Sequence, residues 1–212
     1  MLKSIIGKKL GMTQMFEDNG NVVPVTVIKA GPCIVVGIRT LDKDGYSAVQ
    51  LGFEDVIIEK RLNKSNLFFF KKKDILPKKI VKEFVIKNDF NFNIGQRITL
   101  DILKNIDFVD VKGITKGKGY AGVIKRHNFS MQAVTHGQSD RERARGSSGG
   151  QGPQRVLKGT KMSGHLGNKY VTIQRLHIVK IDINKDFLFI KGCVPGIIGS
   201  NLFISATVKK SI

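Results

Sequence analysis

Residues 135–155 restrict the fold of this chain more than any other part, because they carry no large hydrophobic side chain. The stretch reads THGQSDRERARGSSGGQGPQR, in which arginines alternate with small and polar residues before a run rich in glycine and serine. Such a segment cannot bury enough apolar surface to fold by itself. It is therefore either a disordered linker or an arm that becomes ordered on a polyanion.

The charge of the chain favours a polyanionic partner. Its 212 residues include 36 Lys and Arg against 17 Asp and Glu, a net charge of +19. A charge this far from neutrality is typical of nucleic-acid-binding proteins, and an anionic membrane surface or acidic polysaccharide is the alternative partner. Within the stretch, RERAR uses arginine although lysine dominates elsewhere. The planar guanidinium binds phosphate through two hydrogen bonds and stacks on bases, which favours RNA.

A length of 212 residues suits one large domain, or a small domain with an appendage. A hydrophobic content of 41% is enough for a core, so the chain as a whole is not expected to be disordered. Cys33 and Cys193 lie far apart in strand-like sequence without a metal-binding spacing. We therefore expect two buried, reduced thiols in an intracellular protein. No apolar run approaches the ~20 residues of a membrane-spanning helix, and the N-terminal sequence resembles neither a signal peptide nor a transit peptide.

Short segments rich in β-branched residues, separated by turn signals, predict a mostly β fold with a barrel or sandwich. Strands are expected at 22–29, 33–39, 46–53, 83–86, 97–102, 108–114, 169–182, 187–191 and 201–208. The predicted organisation is a β body over 1–112 and 168–212, with a small α+β insertion at about 56–95. A long, basic, extended loop over 113–167 lies between two strands of this body, and a loop of that length is uncommon unless it is functional.

Two motifs suggest cofactor binding or catalysis, but their context argues against both. The glycines of residues 117–122 spell GxGxxG without a following amphipathic helix, and they favour close approach of the backbone to phosphate instead. His136, Ser139 and Asp140 resemble a catalytic triad, but a glycine-rich loop offers no scaffold to orient them. None of the four histidines has a metal-ligand spacing. We expect no enzymatic activity, no cofactor and no metal.

Seven motifs follow one another and span essentially the whole chain: IIGKKLGMTQMF, VVPVTVIKAGPC, VDVKGITKGKGYAGVIKRHNF, THGQS, RGSSG, RVLKGTKMSGHLGN and KGCVPGIIGS. Together they resemble the family of large-subunit ribosomal protein three, bacterial type. The resemblance implies a β-barrel body related to a domain of translation factors. It also implies an extended loop that reaches through the large-subunit ribosomal RNA (rRNA) toward the peptidyl-transferase centre.

The same resemblance implies a primary rRNA-binding protein that binds near the 3′ end of that RNA and helps to nucleate subunit assembly. Its implied neighbours are ribosomal proteins fourteen and nineteen. The expected location is the cytoplasmic ribosome of a bacterium, or the ribosome of an organelle that encodes its own protein. Two other functions remain open: a nucleic-acid chaperone or DNA-binding protein outside the ribosome, and an enzyme whose basic loop binds a phosphorylated substrate.

The resemblance and the charge pattern together predict the rRNA-binding side chains, and Met162 matches the family motif beside them. The predicted set is Lys8, Lys9, Lys116, Lys118, Lys125, Arg126, His127, His136, Arg141, Arg143, Arg145, Arg155, Lys158, Lys161 and Lys169.

The tip of the loop departs from the family pattern. GSSGGQGPQRVLKG lacks one residue of GSxGxxQxPGKVFKG and has Gln154 where glycine is expected, and DRERAR replaces SHRxPG. Gln151 falls where some bacterial members carry an N5-methylated glutamine. We accordingly predict that a glutamine methyltransferase modifies Gln151.

Overall fold

The computed structural model of the chain describes residues 3–58, 60, 62–86 and 92–209. Its strands, in chain order, are β1 (Ser4–Phe16), β2 (Val22–Ala30), β3 (Cys33–Arg39), β4 (Ala48–Asp55), β5 (Lys78–Val85), β6 (Arg97–Ile98), β7 (Phe108–Ile114), β8 (Tyr120–Ala121), β9 (Gly164–His165), β10 (Tyr170–Asp182), β11 (Phe187–Lys191) and β12 (Asn201–Ala206). Its helices are α1 (Leu41–Asp44), α2 (Lys64–Lys71) and α3 (Val123–His127), with a 3-10 turn at Leu100–Leu103.

Six antiparallel strands close into a barrel in the order β1-β12-β7-β10-β11-β2. The barrel closes around alternating side chains, since residues two apart on a strand point to the same face. In β11 the buried residues are Leu188 and Ile190, and in β12 they are Leu202 and Ile204. The prediction of a mostly β fold with a barrel body is confirmed.

The first barrel strand, β1, lies in sequence that does not predict a strand, because lysines and glycines interrupt its hydrophobic residues. It pairs with β12 through Ser4–Lys8 and with β2 through Gly7–Phe16. The register with β2 shifts between Lys9 and Gly11, which marks a β-bulge. The bulge changes the direction of side chains at this point, so alternation alone does not say which lysine points inward.

A separate four-stranded sheet has the order β5-β4-β3-β6. It takes up strands that the sequence assigns to the barrel body, so the segment outside the barrel is longer than the predicted insertion at about 56–95. The difference has a simple reason: β-branched runs indicate strands but not the sheet that each strand joins. Phe70 of α2 packs with Val36 and Ile75, and one hydrophobic cluster includes both Leu51 of the sheet and Leu188 of the barrel.

Two further expectations are wrong in detail. Cys33 is buried as expected, but Cys193 is exposed because it lies in the turn after β11 and not within a strand. The strand expected over 97–102 is only two residues long, and a 3-10 turn follows it at Leu100–Leu103. None of the helices in the described part of the chain combines the length and hydrophobicity needed to span a membrane.

The chain divides into two compact units. The barrel unit runs up to Ile114 and resumes at Tyr170, and it contains the barrel and the four-stranded sheet. The loop unit is Thr115–Lys169, which contains β8, α3 and β9.

Candidate nucleic-acid interface

The loop unit has an ordered base. The segments 115–121 and 164–169, which we call its two arms, run antiparallel. Strand β8 pairs with β9, and further backbone hydrogen bonds join the rest of the two arms. The Lys118 N–H donates to the Leu166 carbonyl at 2.9 Å, and the Leu166 N–H donates to the Gly119 carbonyl at 3.0 Å. A Cβ added to Gly167, whose φ is +77°, would lie 2.1 Å from the Lys116 carbonyl oxygen. Only glycine allows the two arms to approach this closely.

Two of the predicted rRNA-binding side chains connect the arms of this base. One guanidinium nitrogen of Arg126 donates to the Met162 carbonyl at 2.6 Å, and the His127 Nε2 lies 3.1 Å from the same oxygen. Both residues belong to α3, whose Val123 is buried. Since these contacts are within the protein, the structure gives Arg126 and His127 a role in fixing the shape of the loop.

Beyond α3, residues 128–163 are all described and contain neither helix nor strand. A few contacts hold the tip. The Gln132 N–H donates to the Glu142 carbonyl at 3.1 Å, a guanidinium N–H of Arg143 lies 3.7 Å from the Met131 sulfur, and Arg145 donates to the Ser148 hydroxyl. The tip therefore lacks a hydrophobic core of its own, as its composition predicts.

The loop unit is strongly cationic. It carries eleven lysines and arginines against Asp140 and Glu142, a net charge of +9 out of the +19 of the chain. Within this fully described unit no lysine or arginine forms an ion pair with a carboxylate. Arg145 is half-buried. The predicted site residues whose side chains are exposed are Lys116, Lys118, Lys125, His136, Arg141, Arg143, Arg155, Lys158, Lys161 and Lys169.

The prediction that Lys9 binds rRNA does not fit the structure. Lys9 is only 7% exposed, and its ammonium donates to the carbonyls of Val194 and Gly196 at 3.0 and 3.1 Å. A lysine that is buried and hydrogen-bonded in this way has no surface to offer a phosphate. Its charge instead holds the turn between β11 and β12 against β1.

Lys8, the next predicted residue, is half-buried and forms an ion pair with Glu54 at 2.7 Å. Burial alone would raise the pKa of Glu54, but the hydrogen bond and charge of Lys8, together with Lys79, lower the pKa below its usual value. The Glu54 carboxylate is thus ionised at neutral pH. It already neutralises much of the positive charge of Lys8, which makes Lys8 a weaker candidate than the cations of the loop unit.

Gln151 is exposed at the start of a turn. The Gln154 N–H lies 3.4 Å from the Gln151 carbonyl, and Gln154 adopts a positive φ of 48°. The side-chain amide of Gln151 is therefore accessible to a modifying enzyme. Modification itself stays a prediction.

The positions of the described residues do not support the catalytic alternatives. The Ser139 hydroxyl lies 3.4 Å from the Asp140 carboxylate, but no hydrogen bond joins His136 to either residue in the described chain. Among the described residues, no group of three His, Cys, Asp or Glu side chains could hold a metal ion. The glycines of residues 117–122 lie in one arm of the base and lead into the five-residue α3.

Sequence reasoning missed a second cationic surface, formed by the outside of the barrel and β5 of the four-stranded sheet. Lys112 Nζ lies 5.5 Å from the centre of the Tyr170 ring, and Lys82 Nζ lies 5.5 Å from the centre of the Phe203 ring. The two rings are 6.3 Å apart. These residues come from four strands that are distant in sequence, so no local motif could have revealed them.

Comparison with known proteins identifies relatives of this chain. The family model described as ribosomal protein L3 matches residues 79–186, which include the whole loop unit. The chain is similar to the large ribosomal subunit protein uL3 of Endomicrobium trichonymphae, at 59% identity over 99% of this chain and 92% of the relative. It is also similar to the proteins of the same name from Carboxydothermus hydrogenoformans (47% identity, 99% of both chains) and Heliobacterium modesticaldum (45%, 98% of both). The chain therefore belongs to the ribosomal protein L3 family.

Proposed function

We propose that this chain is a non-catalytic, structural protein of the large subunit of the bacterial ribosome, where it binds rRNA. The observation that carries the proposal is the loop unit, whose eleven cations have no carboxylate partner within that unit or elsewhere in the described chain. Close relatives named as large ribosomal subunit proteins supply the identity of the particle. Its location is then the bacterial cytoplasm, on the ribosome.

The loop binds by charge neutralisation and shape. Folded RNA concentrates phosphates at close spacing, and each Lys or Arg that meets a phosphate releases condensed counterions. The ladder between the arms at Lys118 and Leu166 keeps the base narrow, while the tip, which has no core, orders on the RNA surface. Arginines at the tip bind phosphate through two hydrogen bonds, which fixes its path more tightly than lysine would.

The finer assignments rest on family resemblance. The chain binds near the 3′ end of the large-subunit rRNA and nucleates assembly, with ribosomal proteins fourteen and nineteen as neighbours. The loop, over about 113–167, extends toward the peptidyl-transferase centre. Its exposed cations are the rRNA contacts, together with a smaller contribution from Lys8.

The test is co-sedimentation. Epitope-tagged protein expressed in a bacterium should travel with the large subunit in a sucrose gradient and stay there after a high-salt wash. A nucleic-acid chaperone outside the ribosome would remain near the top of the gradient or leave the subunit in the wash. That result would overturn the proposal in favour of the alternative.

The modification of Gln151 has its own test. We propose that a glutamine methyltransferase adds one methyl group to its side-chain amide, since this amide is exposed on a turn. Mass spectrometry of protein purified from native ribosomes should find the methyl group on the peptide that contains Gln151. An unmodified peptide removes this part of the proposal and leaves the rest intact.

A further inference from the structure

The outer face of the barrel carries two aromatic rings and one lysine, and a second lysine from β5 of the four-stranded sheet lies beside them. We call Lys82, Lys112, Tyr170 and Phe203 the cation–aromatic face. Phe203 of β12 lies directly opposite Lys112 of β7. Their neighbours along the strands, Val111 and Ile204 among them, are buried in the barrel. Because side chains alternate along a strand, Lys112 and Phe203 lie on the outside.

The Tyr170 ring on this face is open to a partner, and the half-buried Phe203 ring packs between it and Phe84. The Tyr170 side chain is 57% exposed, and its ring is tilted by 38° to that of Phe203. Each ring has an ammonium nitrogen 5.5 Å from its centre, that of Lys112 or Lys82. Neither lysine forms an ion pair with a carboxylate in the described part of the chain. A surface of this kind presents flat apolar area and positive charge together.

The barrel carries a further cation that is held in place. Arg175 lies in a bulge of β10 with a φ of +56°, a conformation that residues other than glycine rarely adopt. Its N–H donates to a carboxylate oxygen of Asp110 at 2.9 Å, and the other oxygen accepts from Val208 at 3.3 Å. The guanidinium lies 5.2 Å from the centre of the Phe108 ring. Residues with strained backbone cluster at active sites and ligand-binding positions.

We propose that the cation–aromatic face binds unpaired RNA nucleotides, with a base stacked on Tyr170 and Phe203 and phosphates on the neighbouring cations. Every base has a π face that an exposed ring can stack on, whereas paired bases in a duplex hide theirs. The only acidic side chain facing outward from β7, Asp110, is 5% exposed and bonded to two backbone N–H groups. With Asp110 buried, the lysines of this face give it a net positive charge, which favours a polyanion over a protein partner.

The inference rests on the proposed function, because it takes RNA as the partner, and it adds a second site with a different chemistry. The loop unit contacts RNA mainly through its cations, whereas this face adds a pair of neighbouring aromatic rings. The cation–aromatic face distinguishes a strand with bases from one without them. That difference allows the two sites to be measured separately in the same protein.

The test compares two probes with the full-length chain: a short oligouridylate, and an abasic oligomer with the same number of phosphates. Wild-type protein should bind the oligouridylate about tenfold more tightly, the effect of stacking one or two bases. Tyr170→Leu should lose this preference and keep its affinity for the abasic oligomer, whereas Tyr170→Phe should retain the preference. Lys112→Gln should weaken binding of both probes equally.

Tyr46→Leu is the matched control. Tyr46 is also an exposed tyrosine of the barrel unit, but its hydroxyl donates to the Glu83 carboxylate at 2.7 Å. The negative charge of this carboxylate repels phosphate. This variant should keep the full preference for the oligouridylate. Thermal unfolding of each variant, followed by circular dichroism, separates a binding effect from a folding effect.

Three results would overturn the inference. They are a wild-type protein without preference between the probes, a Tyr170→Leu variant with undiminished preference, and a Tyr170→Leu variant that loses only its association with other ribosomal proteins. The last would identify the face as a protein-docking surface. If the wild-type chain fails to co-sediment with the large subunit but prefers the oligouridylate, the proposed function fails and the inference stands.

Discussion

Lys9 places a positive charge inside the barrel unit, where its ammonium binds two backbone carbonyls of the turn at 194–196. Lys9→Ala would leave both carbonyls without this partner. A buried polar group that loses its hydrogen bond destabilises a protein by about 1–3 kcal/mol. We therefore expect Lys9→Ala to lower the free energy of unfolding by about 3 kcal/mol, measured by urea denaturation.

Lys8→Ala is the control for this prediction. Lys8 is adjacent in sequence and has the same charge, but its ion pair with Glu54 is partly open to solvent. Such pairs contribute less than about 1 kcal/mol. An equal effect of the two substitutions, or a larger effect at Lys8, would show that the buried position of Lys9 has no energetic importance.

The two cysteines should differ sharply in reactivity. Burial raises the pKa of Cys33 to about 11, so its thiol is protonated at pH 8, whereas Cys193 is exposed. Iodoacetamide at pH 8 should label Cys193 in the native protein and label Cys33 only after unfolding, as mass spectrometry can show. Because the pKa of Cys33 is raised on folding, its contribution to stability is complete below about pH 9 and declines as the pH rises toward 11. Labelling of native Cys33 as fast as Cys193 would contradict this assignment.

At the scale of elements, the base of the loop unit depends on Gly167. Gly167→Ala combines a positive φ with a clash against the Lys116 carbonyl, so the two arms must separate. We expect fast hydrogen exchange at the amides of Lys118 and Leu166, measured by NMR, with the barrel amides unchanged. Gly150→Ala is the control, because a Cβ there meets no atom within 4 Å. Continued protection of both amides in Gly167→Ala would contradict the described geometry.

The sequence predicts individual strands much better than their arrangement. FLFIK predicts β11 with its observed limits, Phe187–Lys191, because a short apolar run that ends before a glycine is a local signal. The sequence does not predict β1, because Lys9 interrupts the pattern of hydrophobic residues although its side chain is buried. It also cannot tell that β3 and β4 leave the barrel for a second sheet, since strand partners depend on contacts between distant segments.

At the scale of the whole molecule, the tip of the loop should be separable from the fold. None of residues 138–154 is buried, so replacing them with a short Gly-Ser linker removes no core. We expect the thermal midpoint to change by less than about 3 °C, the equivalent of under ~1 kcal/mol. Co-sedimentation with the large subunit should fall strongly. Global unfolding of this variant would mean that the loop contributes to the core after all.

Binding to rRNA should depend steeply on salt. The logarithm of the binding constant falls by about 0.7–0.9 per neutralised phosphate for each tenfold rise in salt. Replacing Arg141, Arg143 and Arg145 with Gln should lower this slope by about two in filter-binding assays. Arg39→Gln is the control, because Asp44 already neutralises Arg39 at 2.5 Å. An affinity that barely changes between low and moderate salt would contradict phosphate binding by the loop.

The candidate interface was predictable only where it is continuous in sequence. Composition alone identifies the cations of the tip, because a segment without hydrophobic residues must be exposed. It cannot separate Lys9 from Lys8, since burial depends on the bulge in β1. It also cannot find the cation–aromatic face, because Lys82 and Phe203 are brought together only by the closed fold.

The pairing of β1 with β12 has a consequence for the order in which the chain folds during its synthesis. Residues 4–8 of β1 must wait for residues 201–205, so the barrel closes only after β12 has left the exit tunnel. The sheet formed by β3 to β6 is made from one continuous stretch and can fold much earlier. The basic loop emerges between these two events. It is therefore already outside the exit tunnel and accessible to RNA while the barrel is still open.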